Sequence, residues 1–204
     1  MKLRPLVGKE HFITTSRRMI VGITGATGIV FGIRALEVLR EMGIETHLVV
    51  SRAGDMTRAH ETDMTREALR ALADHFHPIN DVGASIASGS FRTLGMLIAP
   101  CSVRTLAEIA TGVTTTLLTR AADVVLKERR KLVLMVREAP LHAGHLRNML
   151  AATEIGAIVH PPVPAFYTHP KTIAELVDQT LSRALDSFDL EMPNVPRWGE
   201  SLQR

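Results

Sequence analysis

The sequence predicts an α/β fold with a doubly wound parallel sheet and helices on both of its faces. Short apolar runs alternate along the 204-residue chain with stretches of helical spacing. The apolar runs are continuous instead of alternating between apolar and polar positions, which is typical of parallel strands that are buried on both faces. We find no internal repeat or low-complexity segment, so these elements are expected to form one domain.

Strands are predicted where the chain is apolar over four to six residues, at 19–24, 46–51, 95–100, 131–136 and 156–159. The spacing of apolar positions predicts helices around 33–39 and over 62–75, 105–109, 117–127, 144–155 and 173–185. Thr62 or Asp63 is the candidate N-cap of the helix over 62–75. Ligands of doubly wound sheets bind beyond the carboxyl ends of the strands, so the residues after each apolar run are the candidate site residues.

The positive charge of the chain is concentrated near its N-terminus. The formal charge at pH 7 is +3. Residues 1–18 hold five basic groups and one acid, whereas residues 19–204 hold 19 basic and 20 acidic groups. We therefore predict one domain over 19–204, preceded by a disordered basic extension or an over-long start over 1–18, with a transit peptide as the less favoured alternative. A nucleic-acid partner is not expected, because the domain itself is nearly neutral.

The single cysteine, Cys101, excludes an internal disulfide and favours a reducing, cytoplasmic location. No obvious base lies beside it in the sequence, so we interpret it as a small buried apolar residue and not as a nucleophile. No apolar run reaches the 18 residues that indicate a membrane-spanning helix, so no membrane association is expected.

Glycine and hydroxyl residues follow the first three predicted strands. Thr24-Gly25-Ala26-Thr27-Gly28 leads from the first strand into a helix. Glycines let the backbone approach a ligand, and free amides at a helix start favour a phosphate, although packing explains such glycines equally well. Ser51 follows the second strand, and Ser102 and Thr105 follow the third. Each of these hydroxyls is interpreted as either a helix cap or a ligand-binding group.

Cationic side chains flank the fourth predicted strand. Arg120 and Lys127 are seven residues apart and therefore share one face of a helix, and Arg137 follows the strand. Together they could bind a dianionic phosphate, since arginine supplies a fork of donors and lysine a point charge. Glu138 beside them could act as an acid or a base. The alternative is a solvated charged helix with its own ion pairs.

Two further features of the sequence leave alternatives open. His142 and His145 have a spacing that metal ligands sometimes show, but no third ligand is indicated and no metal site is predicted. Tyr167, the only tyrosine, ends a proline-rich segment. This segment predicts either a rigid loop that presents the phenol or a tyrosine that packs on prolines.

Several of these stretches together resemble the flavin prenyltransferase family, which supplies prenylated flavin to aromatic-acid decarboxylases. The likeness runs from about Met19 to Glu200 and includes the small partner proteins of phenolic-acid decarboxylases and the 3-polyprenyl-4-hydroxybenzoate carboxy-lyase partner type. It is carried by blocks at 22–28, 87–91, 100–107, 120–129, 132–141, 145–149, 164–167 and 196–200. Several blocks in this order are specific, whereas each block alone is not.

The resemblance implies a Rossmann/flavodoxin-like flavoprotein that acts as a metal-independent transferase. Its substrates would be reduced FMN and dimethylallyl monophosphate. The prenyl group would join flavin nitrogen-5 and close onto carbon-6, with release of inorganic phosphate. The protein would be a homo-oligomer, expected to be a dodecamer, and its prenylated FMN would pass to a large aromatic-acid decarboxylase subunit.

The resemblance also assigns roles to residues by position. FMN would be held by Gly25, Ala26, Thr27, Ser51, Ser102, Thr105 and Arg137. The prenyl phosphate would be held by Arg120, Lys127, Glu138, Tyr167 and Arg183. Catalytic roles would fall to Glu138 as proton donor to the phosphate, to Lys127, to the hydroxyl of Thr24 as a proton relay, and to Glu61 as a further active-site carboxylate.

Two departures from the family pattern concern the site. Residues 114–116 are three threonines where the family usually includes Asn, Asp or Gly, and no tryptophan stands near Val82 to stabilise an allylic cation. The only tryptophan is Trp198. Two alternatives therefore remain beside the transferase: a flavin-dependent decarboxylase that acts directly, and a non-catalytic FMN carrier.

Overall fold

The computed structural model describes residues 17–199, which form a sheet of six strands. The strands are β1 Arg18–Ile23, β2 Glu45–Val50, β3 His75–His77, β4 Gly95–Cys101, β5 Lys131–Val136 and β6 Ile158–Val159. Every pairing is parallel. The order across the sheet is β3-β2-β1-β4-β5-β6. This arrangement confirms the predicted doubly wound α/β fold.

Seven α-helices connect or follow the strands within the described residues. They are α1 Ile29–Glu41, α2 Arg52–Glu61, α3 Arg66–Ala71, α4 Val103–Thr111, α5 Leu117–Lys127, α6 Ala143–Glu154 and α7 Ile173–Asp186. Single turns of 3-10 helix lie at Ser85–Ala87 and Phe166–Thr168. Over residues 17–199, no helix combines the length and the apolar character that crossing a membrane requires.

The sheet separates two apolar layers because successive side chains of a strand point to opposite faces. Val21 of β1 packs in the layer that contains Leu36 of α1 and Leu181 of α7. Its neighbour Ile20 packs in the opposite layer, with Leu118 of α5. Burial on both faces explains why β1, β4 and β5 are continuous apolar runs in the sequence.

Helix α1 lies unusually close to the sheet. Gly32 faces the backbone of β4, and a Cβ atom placed on it would lie 2.3 Å from the carbonyl oxygen of Ala99. The same Cβ atom would lie 2.8 Å from the side chain of Ile23. A glycine at this position therefore sets the distance between α1 and the strands that end at the crevice.

The predicted helix over 62–75 is wrong in its extent. Residues 52–61 form α2 and residues 66–71 form α3, whose N-cap is Thr65, with its hydroxyl accepting from the amide of Ala68 at 3.1 Å. Neither Thr62 nor Asp63 caps this helix. Helix α2 buries only Gly54, so it lacks the apolar spacing that would have revealed it. Strand β3 was missed because it is only three residues long.

The domain begins slightly before the predicted boundary at residue 19. Arg18 starts β1, and its Nε donates to Glu45 Oε2 at 3.0 Å. Its guanidinium lies over the ring of Phe91, and its carbonyl oxygen accepts from the amide of Leu94 at 2.8 Å. Arg18 is therefore part of the folded domain. The rest of the predicted basic extension, apart from Arg17, lies outside the described residues.

Histidines join the edge strand β3 to β2. The ring of His47, which is buried, stacks on His75 at 4.7 Å and on His77 at 5.2 Å between ring centroids. The Nδ1 atom of His47 is 2.9 Å from Nε2 of His77, at hydrogen-bonding distance. Burial lowers the pKa of His47 to about 4, against a partial opposing effect of Glu45. The ring is therefore neutral at pH 7.

We predict that Gly32→Ala lowers the free energy of unfolding by about 1–3 kcal/mol, because the added methyl group must displace backbone atoms of β4. Gly83→Ala is the matched control. The nearest atom to a Cβ at Gly83 is 3.6 Å away, so the expected change is within about 0.5 kcal/mol. Chemical denaturation of both variants measures the difference. Equal stability of the two variants would contradict the close packing of α1.

Candidate active site

The strand order places a crevice at the carboxyl ends of β1 and β4. From β1 the chain continues to β2 and β3 on one side, whereas from β4 it continues to β5 and β6 on the other. The connections therefore diverge between these two neighbouring strands and leave an opening there. The loop over 24–28 follows β1 at this opening, and Ser102 follows β4.

The hydroxyl of Thr24 ties the two strand ends together. It donates to the carbonyl oxygen of Pro100 at 2.8 Å and accepts from the amide of Ser102 at 2.7 Å. The amide of Thr24 also donates to the carbonyl oxygen of Pro100, at 3.2 Å. Thr24 is fully buried, and its hydroxyl proton is committed to the backbone. This geometry makes Thr24 a positioning residue in the described structure, and the proton relay that the resemblance implied stays a prediction.

Four of the predicted FMN residues line one cavity of about 230 Å³ in this crevice, namely Gly25, Ser51, Ser102 and Thr105. Further walls come from positions that the sequence did not assign to FMN: Arg52, Ala53, Ile79, Asn80, Arg104, Glu108, Thr116, Leu118 and Thr119. Ile79 and Asn80 come from the loop after the missed strand β3. The hydroxyl residues that follow β2 and β4 therefore meet in space, as the rule of strand ends predicts.

The serines serve as caps and cavity walls at the same time. Ser51 caps α2 by accepting from the amide of Gly54 at 2.9 Å. Ser102 caps α4 by accepting from the amide of Thr105 at 3.3 Å, and its hydroxyl donates to that of Thr105 at 3.1 Å. Both helix N-termini thus adjoin the cavity with uncharged caps. Their positive dipole ends favour an anion in the cavity.

Gly25 is required by the close approach of two chain segments. A Cβ atom at this position would lie 2.3 Å from the Cβ of Ala53 at the start of α2. The glycine lets the turn after β1 pass directly beside the N-terminus of α2. It therefore narrows the cavity at the point where Ser51 and the first amides of α2 adjoin it.

The N-terminus of α1 is occupied by a carboxylate of the protein itself. Glu61 accepts from the amide of Gly28 at 2.9 Å and from that of Ile29 at 3.0 Å. The amides at this helix start are therefore not free for a ligand phosphate. Partial burial alone would raise the pKa of Glu61. Hydrogen bonds from Thr27, Gly28 and Ile29, with the charge of Arg137, outweigh it and hold the pKa below its usual range.

The predicted FMN residues of the turn over 24–28 therefore differ in whether they line the cavity. Gly25 lines the cavity, whereas Thr27 bonds with Glu61. The amide of Ala26 donates to the carbonyl oxygen of Thr24 at 3.0 Å. Among the described residues, only Gly25 of this turn lines the cavity at 230 Å³.

Arg137 and Glu138 lie at the same edge of the sheet. They follow β5, which is paired with β4, and the amide of Arg137 donates to the carbonyl oxygen of Cys101 at 3.1 Å. The side chain of Arg137 is exposed, and its charge acts on Glu61. A carboxylate oxygen of Glu138 accepts from the amide of Ala139 at 3.0 Å. A cation and a carboxylate are thus available beside the crevice.

Arg120 and Lys127 share α5, as predicted, but Lys127 does not reach the crevice of its own chain. Arg120 forms an ion pair with Asp123 at 2.7 Å, and Lys127 pairs with Glu128 at 2.5 Å. Lys127 ends α5 just before β5 begins, whereas Arg137 follows the end of β5. A strand of six residues spans about 20 Å. Lys127 and Arg137 are therefore at opposite edges of the sheet.

Tyr167 and Arg183 form a third group beyond β6. The hydroxyl of Tyr167 accepts from Nε2 of Gln179 at 3.3 Å, and its ring meets Trp198 edge-on at 5.4 Å. Arg183 lies one turn after Gln179 on α7 and pairs with Asp186. The polar contact of Tyr167 with α7 places its phenol on the side of the helix that carries Arg183.

The remaining sequence candidates have structural roles. Cys101 is fully buried, and burial raises its pKa far above the usual range, so it is no nucleophile. His142 caps α6 by accepting from the amide of Gly144 at 3.0 Å, and it stacks on His145. Thr116, in the unusual run of threonines, forms a capping box with Thr119 at the start of α5.

A parallel sheet with a polar crevice at its switch point, walled by hydroxyls and the N-termini of α2, α4 and α5, defines a nucleotide-binding α/β protein. The family described as Flavoprotein matches residues 10–185. Flavin prenyltransferase UbiX of Thauera aromatica is 54% identical over 187 residues, which cover 92% of this chain and 96% of that protein. The chain belongs to the flavin prenyltransferase family.

Two solved structures are similar over the same region. AnUbiX (PadA1), in complex with FMN and dimethylallyl pyrophosphate, is 51% identical with a TM-score of 0.88, covering 89% of this chain and 97% of that chain. A dodecameric FMN-dependent UbiX-like decarboxylase from Escherichia coli O157:H7 is 50% identical with a TM-score of 0.86, covering 89% and 98%.

The crevice residues fit a flavin mononucleotide. Uncharged caps leave the dipoles of α2 and α4 available for its phosphate, and Gly25 lets the turn after β1 lie directly against Ala53 at the start of α2. The hydroxyls of Ser51, Ser102 and Thr105 supply neutral donors and acceptors. The donor set is therefore that of a phosphorylated polar ligand.

We predict that Glu61→Gln lowers the free energy of unfolding at pH 7 by about 0.5–1 kcal/mol, since a charged carboxylate at a helix N-terminus is replaced by a neutral amide. The folded-state pKa of Glu61 is below its unfolded value. Its stabilising effect is therefore present above about pH 4.5 and is lost as the pH falls through the folded pKa. Denaturation curves between pH 7 and pH 3 measure it.

The control for this prediction is Glu154→Gln at the exposed end of α6. We expect a change within about 0.5 kcal/mol for it at pH 7. A difference between Glu61→Gln and the natural chain that persists unchanged to pH 3 would contradict the role of the Glu61 charge.

Proposed function

We propose that this chain transfers the dimethylallyl group of dimethylallyl monophosphate to reduced FMN and so produces prenylated FMN for a partner aromatic-acid decarboxylase. The observation that carries the proposal is the crevice at the switch point, in a chain more than 50% identical to named flavin prenyltransferases. Its hydroxyls and helix N-termini suit FMN, and Arg137 with Glu138 lies at its edge.

In this proposal FMN is held by the cavity residues Gly25, Ser51, Ser102 and Thr105, with Arg137 beside them. Ala26 and Thr27 contribute through the backbone conformation of the turn. Nitrogen-5 of reduced flavin would bond to the allyl carbon and lose its proton, while the carbon–oxygen bond of the allyl phosphate breaks and its electron pair leaves with the phosphate. Ring closure would then join carbon-6 to the far end of the alkene: the alkene gains a proton at its central carbon as its double bond is consumed, and carbon-6 loses one, so neither an oxidant nor a reductant is needed.

The cationic residues stabilise the leaving phosphate. Negative charge develops on the phosphate oxygens as the carbon–oxygen bond breaks, and fixed cations around them lower the energy of that state. Arg137 is available for this role in the same chain, and we assign Arg183 and the phenol of Tyr167 to the distal side of the phosphate. The proposed chemistry assigns no step to a metal.

Glu138 is the proposed proton donor to the departing phosphate. Glu138 directly follows Arg137, so its carboxyl group lies beside a cation that we assign to the same phosphate. Its side chain is already partly buried within one chain. Glu61 has a different role, because its charged carboxylate accepts hydrogen bonds from backbone amides at the N-terminus of α1. We therefore assign Glu61 to positioning the turn over 24–28 and Arg137, not to proton transfer.

We further propose that Arg120 and Lys127 act in the crevice of another copy of the chain within a homo-oligomer. Lys127 lies at the amino edge of its own sheet, so it reaches a phosphate at a carboxyl edge only in a neighbouring molecule. Helix α6 exposes Leu146 and Leu150, which suits contact with another copy. The dodecameric state described for the E. coli relative supports this arrangement.

The first test is an anaerobic assay with reduced FMN and either dimethylallyl monophosphate or the pyrophosphate. We expect the monophosphate to release inorganic phosphate and to raise the flavin mass by one prenyl group. Glu138→Gln should bind FMN as before but react at least about 100-fold more slowly. Glu154→Gln, an exposed carboxylate on α6, is the matched control and should keep full activity.

Three outcomes of this assay would contradict the proposal. Binding of FMN without turnover by the natural protein would favour the carrier alternative. Decarboxylation of an aromatic acid by the purified protein alone would favour the direct decarboxylase. Full activity of Glu138→Gln would remove Glu138 as the proton donor.

The second test distinguishes a shared site from one built by a single chain. Lys127→Ala and Arg137→Ala should each lose most activity as pure oligomers. The two variants are then mixed one to one in the same oligomers. A site that takes Lys127 from one copy and Arg137 from another has both natural residues in about a quarter of cases, since each copy supplies its natural residue about half of the time. We therefore expect about a quarter of the natural activity. No recovery above that of each pure variant would contradict the shared site.

A further inference from the structure

Three polar side chains on β2 and β3 converge at an edge of the sheet outside the crevice. Oε1 of Glu45 is 3.1 Å from Nε2 of His47 and 3.2 Å from Nε2 of His75. The parallel register pairs His47 with His75, and their rings stack with centroids 4.7 Å apart. One ligand-type atom from each residue lies within 4.8 Å of the other two.

We propose that Glu45, His47 and His75 form a binding site for a divalent transition metal of the zinc type. Two imidazole nitrogens and one carboxylate oxygen are a ligand set typical of zinc sites with an open fourth position. With zinc–ligand bonds of about 2.0–2.1 Å, tetrahedral ligand atoms are about 3.3–3.4 Å apart. The two nitrogen–oxygen distances in this cluster are already 3.1 and 3.2 Å.

The surroundings of the cluster suit an ion that enters from solvent. His47 is buried, whereas about half of the His75 side chain is exposed. The ion would therefore sit between a fixed ring and a more accessible one, with a water molecule as fourth ligand. Because the two rings are stacked within 20° of parallel, the His75 ring must turn to direct its Nε2 lone pair at an ion bound by His47, and its half-exposed side chain has the freedom to do so.

Neighbouring groups hold the ligands in the required orientation. Arg18 donates to the other carboxylate oxygen of Glu45 at 3.0 Å and leaves Oε1 available. Nδ1 of His47 is 2.9 Å from Nε2 of His77. When Nε2 of His47 binds a metal, its proton must be on Nδ1, from which it donates to His77. Such outer partners fix the tautomer and orientation of metal-binding histidines.

The proton count of this change balances without an added acid or base. In the tautomer of His47 that donates from Nε2 to Glu45 before binding, Nδ1 of His47 accepts from Nε2–H of His77. After binding, the proton of His47 is on Nδ1 and that of His77 is on its own Nδ1. Both rings stay neutral and are equally protonated in the two states, as metal ligation of His47 requires.

A metal in this cluster would fasten β3, the short strand that leads into a wall of the crevice. Strand β3 has three residues, and the chain that leaves it supplies Ile79 and Asn80 to the cavity. The ion would join β3 to β2 through His75 and His47, and Arg18 would extend the connection to β1. This inference does not depend on the proposed transferase reaction.

The test uses the full chain, treated with a chelator and then titrated with Zn²⁺ or Co²⁺. We expect one equivalent of Zn²⁺ per chain by calorimetry, and a Co²⁺ spectrum of four-coordinate type. His75→Ala should weaken binding by more than about 100-fold, which exceeds the ~10–100-fold effect of losing an outer partner such as His77. His142→Ala, which alters the other stacked histidine pair, is the matched control.

Thermal denaturation supplies a second readout. Saturating Zn²⁺ should raise the midpoint of the natural protein and of His142→Ala, and should leave that of His75→Ala unchanged. Glu45→Gln provides a second variant of a ligand, in case His75→Ala fails to fold. The proposal is overturned if the natural chain binds no equivalent of Zn²⁺, or if binding survives His75→Ala and Glu45→Gln. Loss of binding in His142→Ala would equally overturn it.

Discussion

The hydrogen bonds of the Thr24 hydroxyl hold the crevice together. This one buried group joins the backbone at the ends of β1 and β4, where the connections of the sheet diverge. A parallel sheet has no ladder bonds beyond its strand ends, so the loops over 24–28 and from 102 onward need another tie. With the hydroxyl in place, Gly25 and Ser102 are fixed relative to one another. The cavity walls therefore belong to one rigid unit instead of two independent loops.

The N-termini of the helices around the crevice differ in what neutralises their positive dipole ends: a carboxylate of the protein at one of them, and an anionic ligand at others. The start of α1 is neutralised by Glu61, whereas α2 and α4 begin with the uncharged caps Ser51 and Ser102. An anionic ligand is therefore stabilised more at the N-termini of α2 and α4 than at that of α1, where it would lie beside the carboxylate of Glu61. The sequence pattern alone is compatible with a phosphate at the glycine turn and equally with glycines required for packing. The contact of Glu61, 33 residues away in sequence from Gly28, explains why the structure favours the neighbouring helices.

The fold and the site could be predicted from the sequence where burial leaves a regular pattern of apolar residues, and not elsewhere. Strands β1, β4 and β5 are buried on both faces and are visible as apolar runs, and their ends correctly brought Ser102 and Gly25 to one cavity. Helix α2 and strand β3 have no such pattern, so the cavity walls that follow them, Ile79 and Asn80, were missed. The spacing of Arg120 and Lys127 correctly gave their helix face. It carries no information on which edge of the sheet that face approaches.

The position of Arg18 has a consequence for how the protein can be handled. The chain enters the domain at the amino end of β1, on the edge of the sheet opposite to its own crevice and on the side where Lys127 ends α5. A fusion partner joined directly to Arg17, in place of residues 1–16, would thus begin on the side away from the ligand of the molecule that carries it. If neighbouring copies share their sites, the same fusion partner would begin on the side from which Lys127 reaches the ligand of another molecule. Its effect would then depend on assembly, and a tagged monomer would be a poor guide to a tagged oligomer.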